Sequence, residues 1–274
     1  MQLDGITALV TGAGSGIGRA IAVELSRRGV RLILLGRTRD GLEQTQALLS
    51  APDGATIMCL DLACPQGRDG IAEKVATLTG RLDLLVNNAG IVDAGPLASQ
   101  SEDSWRRMIE VNLLAPMSIT RQLLPLLRSS GCGRVVNVGS MFGDIAFPFF
   151  AAYSATKFGL RGWSEALRRE LADQAIGVTY CAPRGTRTPA AAGFAAYAEA
   201  FAMRMDPPED VARAIVDGIA RDARDIYPGG VERLFLLAQR LLPSQVDKGI
   251  RDQMRTALKS GLVRLSSALP IKLS

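Results

Sequence analysis

The chain has 274 residues, 47% hydrophobic and 22% charged, a composition that excludes intrinsic disorder and a length that suits one large domain or two small ones. Its net charge is +5, yet positive and negative side chains balance over residues 1–230. The excess lies in residues 231–274, where Arg233, Arg240, Lys248, Arg251, Arg255, Lys259, Arg264 and Lys272 outnumber Glu232, Asp247 and Asp252; this argues against a polyanion-binding body, and no nucleic-acid partner is expected.

There is no histidine, the side chain that most often moves protons near neutral pH, so acid–base chemistry must use another group. The opening MQLDGITALVTG lacks the basic region and apolar run of a signal peptide, and no stretch reaches the roughly 20 apolar residues of a membrane span. Cys59, Cys64, Cys132 and Cys181 have neither zinc-ligand nor disulfide-framework spacing, which predicts a reducing, cytoplasmic setting without a metal.

In chain order, strand-length apolar runs fall at 6–10 (ITALV), 31–35 (RLILL), 56–60 (TIMCL), 82–86 (LDLLV), 134–138 (RVVNV) and 177–181 (GVTYC). Amphipathic stretches lie between them, such as GRAIAVELSRRG at 18–29, closed by Gly29. Repeated strand–helix–strand units predict one α/β domain, a parallel sheet with helices on both faces.

Directly after the first run comes TGAGSGIG, with Gly12, Gly16 and Gly18. A glycine-rich turn between a strand and a helix lets backbone approach a pyrophosphate at the helix N-terminus. The second run ends LLGRTRD, so Gly36 stands where an acid would hold an adenosine ribose, and Arg37 follows. A guanidinium there pairs with a 2′-phosphate, which predicts NADP(H) rather than NAD(H).

Ser101 before EDSWRRMIEVN predicts an N-cap with acids in the first turn. Four phenylalanines, Phe142, Phe147, Phe149 and Phe150, fall in MFGDIAFPFF, and PAAAGFAAYAEAFAMRM follows Thr188. Apolar walls of this kind suit a lipophilic carbonyl, although phenylalanines also fill cores and dimer interfaces. From Tyr153, Leu160, Trp163, Leu167 and Leu171 recur at helical steps, so Tyr153 and Lys157, four apart, share one helix face.

TGAGSGIG at 11–18, NNAG at 87–90, Ser140 and YSATK at 153–157 together resemble the short-chain dehydrogenase/reductase family in its single-domain form, over about residues 3–227. The resemblance implies a Rossmann-type doubly wound parallel sheet of seven strands, hydride exchange between a nicotinamide cofactor and an alcohol or carbonyl, and a homo-oligomer. It matches Asn112, Ser140, Tyr153 and Lys157 to the catalytic tetrad. Gly12, Ser15, Gly16, Ile17 and Gly18 match the phosphate loop, and Asp61, followed by Leu62, matches the residue that holds the adenine amino group. Asn88 and Gly90 match the central turn, and Pro183 and Thr188 the nicotinamide side. An ammonium beside a phenol of ordinary pKa about 10, together with the positive charge of the oxidised nicotinamide, favours the phenolate; Ser140 is then expected to stabilise the substrate oxygen and Asn112 to hold a water that links Lys157 to solvent. The leading substrate class is a 3-oxoacyl-type or lipid-derived ketone or aldehyde; a protein that binds NADP(H) without chemistry is the alternative.

CAPRGTRT departs from the family pattern, with Arg184 where a glycine usually stands. If that position needs a positive φ, arginine bears a steric cost there. Two readings stand for Arg184 and Arg187: contact with an anionic substrate group, or solvated loop charges.

The sequence thus divides into a catalytic domain, 1–230, and an amphipathic helical extension, 231–274. The extension carries apolar positions at 231, 234, 235, 238, 241 and 242, then at Val246, Ile250, Leu258, Leu262, Leu265 and Leu269. Lys248, Arg251, Arg255 and Lys259 step along another face. Two readings stand here as well: a hairpin packed on protein, or a peripheral contact with an anionic membrane.

Overall fold

The computed structural model describes residues 1–229, 232–259, 261 and 263. Its strands are β1 (Thr7–Thr11), β2 (Arg31–Gly36), β3 (Ala55–Cys59), β4 (Leu84–Asn87), β5 (Arg134–Val138), β6 (Gly177–Cys181) and β7 (Asp225–Ile226). They form a single sheet in the order β3-β2-β1-β4-β5-β6-β7, with every neighbouring pair parallel. The first six match the apolar runs of the sequence to within two residues. Only two residues long, β7 is too short to leave a periodic signal.

The helices are α1 (Gly16–Arg27), α2 (Arg39–Ala47), α3 (Ile71–Thr79), α4 (Glu102–Ile109), α5 (Ala115–Ser129), α6 (Ala151–Glu170), α7 (Ala195–Ala200), α8 (Pro208–Ala220), α9 (Glu232–Leu241) and α10 (Pro243–Lys259). They cover both faces of the sheet because its strands alternate. Ala8 and Val10 of β1 join Ile21 and Leu25 of α1 and Ile215 and Ile219 of α8 in one buried cluster. Leu9 joins Ile71 and Val75 of α3, Ile119 and Leu123 of α5 and Leu167 of α6 in another. The period of two in the strands and the i, i+4 spacing in the helices supply both faces. Ser101 caps α4 as expected, accepting from the Ser104 N–H at 3.2 Å.

A third cluster lies beyond the strand ends. Phe149, Phe150 and Phe201 pack there with Ala257, and Met254 and Leu258 lean on them. Helix α10 therefore packs against the body. Its basic residues Lys248, Arg251, Arg255 and Lys259 stay exposed. Leu262, Leu265, Leu269, Arg264, Lys272 and the apolar position 231 lie outside the described residues. Among the described residues no helix is long and apolar enough to cross a membrane.

Candidate active site

The order in which strands are added reverses between β1 and β4, and loops at the carboxyl ends of strands on either side of such a switch part to leave a crevice. A cleft of about 630 Å³ opens there. Loops after all six long strands reach it: Gly12 to Ile17, Arg37, Asp61 and Leu62, Asn88 and Gly90, Ser140, and Pro183 to Thr188.

At one end lies the glycine-rich loop. The backbone of Gly16 has φ +54, and a Cβ there would sit 2.9 Å from Thr188 Cγ2. A Cβ on Gly18 would collide with the Gly12 carbonyl and the Asn88 amide, so only glycine lets these segments touch. Helix α1 begins without an acid in its first turn and without a side-chain cap from Ser15, which leaves its N-terminal N–H groups for an anion. Residues outside the motif hold the loop. The Thr11 hydroxyl accepts from the backbone N–H groups of Asn88 at 2.9 Å and Ala89 at 3.0 Å. Asn88 Nδ2 donates to the Thr11 carbonyl at 2.9 Å, and Arg19 donates to Gly14 O at 2.5 Å.

Arg37 is exposed at the mouth of the cleft, and no carboxylate among the described residues pairs with it. Asp61 lies beside it, its Oδ1 accepting from the Ala63 N–H at 3.0 Å. A glycine cradle that any side chain would fill, a bare helix end and a free cation beside the buried Gly36 fit a dinucleotide. All the residues matched to the cofactor line this cleft except Gly18, which supports the loop from behind.

The reactive groups lie at the opposite end. Lys157 is buried, donates to the Val138 carbonyl at 3.1 Å and stands 5.7 Å from the centre of the Tyr153 ring, so the i, i+4 pair does share one face. Burial pushes the Tyr153 phenol up to about 12, while a hydrogen bond with the Ser140 side chain works in the opposite direction. Burial also pushes Lys157 down to about 8. In the protein alone desolvation disfavours the charged form of both groups.

Ser140 also accepts from the Phe142 N–H at 3.1 Å, and the Tyr180 hydroxyl donates to its backbone carbonyl at 3.3 Å. Tyr180 is among the largest fully buried side chains, a support for Ser140 that its place in an apolar strand concealed. Asn112 lies in a π-helical turn, Glu110–Leu114, between α4 and α5, an irregularity frequent at functional sites. Its side chain points inward and is engaged at both ends. Oδ1 accepts from Ile91 N at 2.8 Å, and Nδ2 donates to Ile91 O at 2.9 Å and Thr156 Oγ1 at 3.1 Å. The side-chain amide thus clamps the Gly90–Ile91 segment against α6.

Phe142, Phe147, Phe150, Phe194, Phe201 and Met203 form an apolar wall above Tyr153. Phe149 turns the chain into α6 with φ 69, an uncommon backbone for a bulky residue. Its carbonyl accepts from Gly95 N at 2.8 Å, and its ring packs 5.1 Å from Tyr197.

Arg184 is not among the positive-φ residues, so its departure from glycine carries no backbone strain. Its guanidinium grips Asp206 through two bonds of 2.6 and 2.9 Å. Arg187 donates to the Met205 carbonyl at 3.0 Å. Both arginines therefore bind residues 205 and 206, at the far end of the segment that follows Thr188, which neither reading of the sequence anticipated.

A family model described as short chain dehydrogenase matches residues 6–197. SadH of Mycobacterium tuberculosis, provisionally named an oxidoreductase, is 35% identical over 90% of this chain and 94% of its own. A structure from Beutenbergia cavernae, provisionally assigned as an NAD(P)-dependent gluconate 5-dehydrogenase and holding NADP at low occupancy, superposes with a TM-score of 0.75. It is 35% identical, covering 85% of this chain and 98% of that one. The 3-ketoacyl-(acyl-carrier-protein) reductase of Brucella melitensis, complexed with NADH, has a TM-score of 0.75 and 27% identity over 83% and 98% of the two chains.

Proposed function

The chain belongs to the short-chain dehydrogenase family and is an oxidoreductase, and on that premise we propose that it exchanges a hydride between NADP(H) and a hydrophobic ketone or aldehyde, or the corresponding alcohol. A 3-oxoacyl-type or lipid-derived carbonyl is the favoured substrate. The observation that carries this reading is one cleft in which a glycine cradle, the Ser140–Tyr153–Lys157 group and a wall of phenylalanines converge.

When bound, the nicotinamide supplies or accepts the hydride. In the reductive direction Tyr153 is the acid that gives its hydroxyl proton to the carbonyl oxygen, and with a pKa pushed up to about 12 it is fully protonated at neutral pH. Ser140 donates a hydrogen bond to the same oxygen as negative charge develops there. Lys157 steadies the phenolate left behind and holds the ribose hydroxyls. Asn112 is a positioning residue, clamping Gly90 and Ile91 beside Lys157. Residues 1–230 act as the catalytic unit and 231–274 as its extension.

The preference for NADP(H) rests on Arg37 beside Gly36, a cation with no acid in the ribose position. The exposed Ile109, Leu114 and Phe158 on α4 to α6 suit a homo-oligomer, and four unpaired cysteines suit a cytoplasmic setting.

A panel of ketones and aldehydes of increasing chain length, followed by NADPH absorbance, tests the reading. Turnover should rise with chain length, and Tyr153→Phe should lower kcat by about a thousandfold while NADPH still binds. Substantial turnover by the variant, or no turnover of any apolar carbonyl, overturns it.

A further inference from the structure

Helix α9 carries its apolar face outward. Leu234, Phe235, Leu237 and Leu241 are 68, 61, 53 and 68% exposed, and Leu242, just beyond, is 56% exposed. At 100° per residue the four helical positions fall within an arc of about 160°, a broad continuous stripe. The half-buried residues of α9 are Leu236, Ala238 and Gln239, and the Gln239 Oε1 finds no hydrogen-bond partner among the described residues. An amphipathic helix seated on its own protein turns the other way. The apolar face of α9 is therefore left without cover by the described residues.

The next helix has the opposite arrangement. In α10, Met254, Ala257 and Leu258 pack into the aromatic cluster, and Gln253 reaches the cleft. The exposed cations Arg240, Lys248, Arg251, Arg255 and Lys259 line this hairpin, within the stretch 231–274 whose excess of positive charge equals that of the whole chain. Charge therefore discriminates between occupants. A two-fold contact with a second copy would set one cationic hairpin against another, and the body of a second copy, neutral over residues 1–230, offers no complementary excess. An anionic bilayer offers both an apolar layer for the leucines and phosphates for the cations.

We propose that α9 is a membrane-docking element. Its apolar face enters the boundary between headgroups and acyl chains of an anionic leaflet, and the cations of the α9–α10 hairpin hold the lipid phosphates. Helix α10 is the rigid link to the body, so the docked protein keeps the apolar end of its cleft within one helix hairpin of the lipid. The surface stands whichever carbonyl is reduced.

The test is co-sedimentation of the full-length chain with vesicles of phosphatidylglycerol and phosphatidylcholine in equal parts, beside phosphatidylcholine alone. At low salt the bound fraction should be at least about tenfold greater on the anionic vesicles, because each cation near such a leaflet raises partitioning by about fivefold, and it should fall as salt screens the charges. Phe235→Ser with Leu241→Ser should cut binding by about tenfold or more. So should Lys248→Glu with Arg251→Glu, and neither pair should change the thermal midpoint or NADPH affinity. A Phe235→Trp chain, which preserves an aromatic side chain, should shift its emission to the blue on the anionic vesicles. Absent binding, binding without preference for the anionic lipid, or binding indifferent to both pairs overturns the proposal. An oligomer in gel filtration that the serine pair dissociates, without vesicle binding, gives the surface to a second copy.

Discussion

The two ends of the cleft are built by different means. The end that fits a dinucleotide is made of backbone: glycines too close to their neighbours to carry a Cβ, a bare helix N-terminus, and Thr11 and Asn88 bonding main-chain groups. The end above Tyr153 is made of side chains, rings from two stretches of the chain, 142–153 and 194–201, such as Phe147 packed edge to face on Phe201 with centroids 4.9 Å apart. Backbone architecture tolerates almost no substitution because nothing can yield. A wall of rings can repack, and volume changes there cost specificity before they cost the fold. The first end is thus fixed in shape and the second adjustable.

The sharpest break of the first end is Gly18→Ala. Its methyl group has no space against the Gly12 carbonyl, and NADPH affinity should fall by about a hundredfold or more, as expected when a pyrophosphate loses backbone contact. Fluorescence titration measures this, and wild-type affinity in the variant would mean that the loop relaxes.

Arg37→Asp tests the cofactor preference without touching the cradle. Exchanging a cation for an anion beside a 2′-phosphate should raise KM for NADPH by about thirtyfold and change KM for NADH by no more than a few-fold. Equal effects on both would assign the phosphate to another residue or make NAD(H) the cofactor.

A pH profile follows the reactive pair between the two ends. With no histidine in the chain, kcat/KM for reduction should show no limb near pH 6.5. The Lys157 ammonium, lowered to about 8 by burial, is lost as pH rises, so the rate should stay flat from pH 6 to about 7.5 and then fall by as much as tenfold per pH unit. The Tyr153 phenol, pushed up to about 12, stays protonated across that range and adds no limb. A limb near neutrality would point to a different proton donor.

The smallest effect belongs to the adjustable end. Phe201→Ala removes a ring that bridges Phe147 and Phe149, and KM for a long-chain ketone should change by about fivefold to tenfold while NADPH affinity stays constant, in keeping with the low cost of reshaping an apolar pocket. A matching loss of NADPH affinity would show that the two ends are mechanically coupled.

Much of this protein was legible in the order of its residues. Six short, mostly apolar runs give six strands, and Leu160 to Leu171 at helical steps give α6, because these signals depend only on which sides of an element meet the core. The glycine loop and the Tyr153–Lys157 pair were equally legible, since a backbone cradle and an i, i+4 pair are local geometries. Tertiary structure decided the rest. Tyr180 looks like any strand residue until the fold sets its hydroxyl under the Ser140 carbonyl. The Arg184–Asp206 grip joins residues 22 apart in sequence, and the amide of Asn112 is spent on residue 91, across a crossover that no spacing encodes. The extension divides in the same way. Amphipathicity predicted its two helices, but the direction each apolar face takes, inward on α10 and outward on α9, depends on what lies opposite, and a sequence pattern fixes only that a helix has two sides.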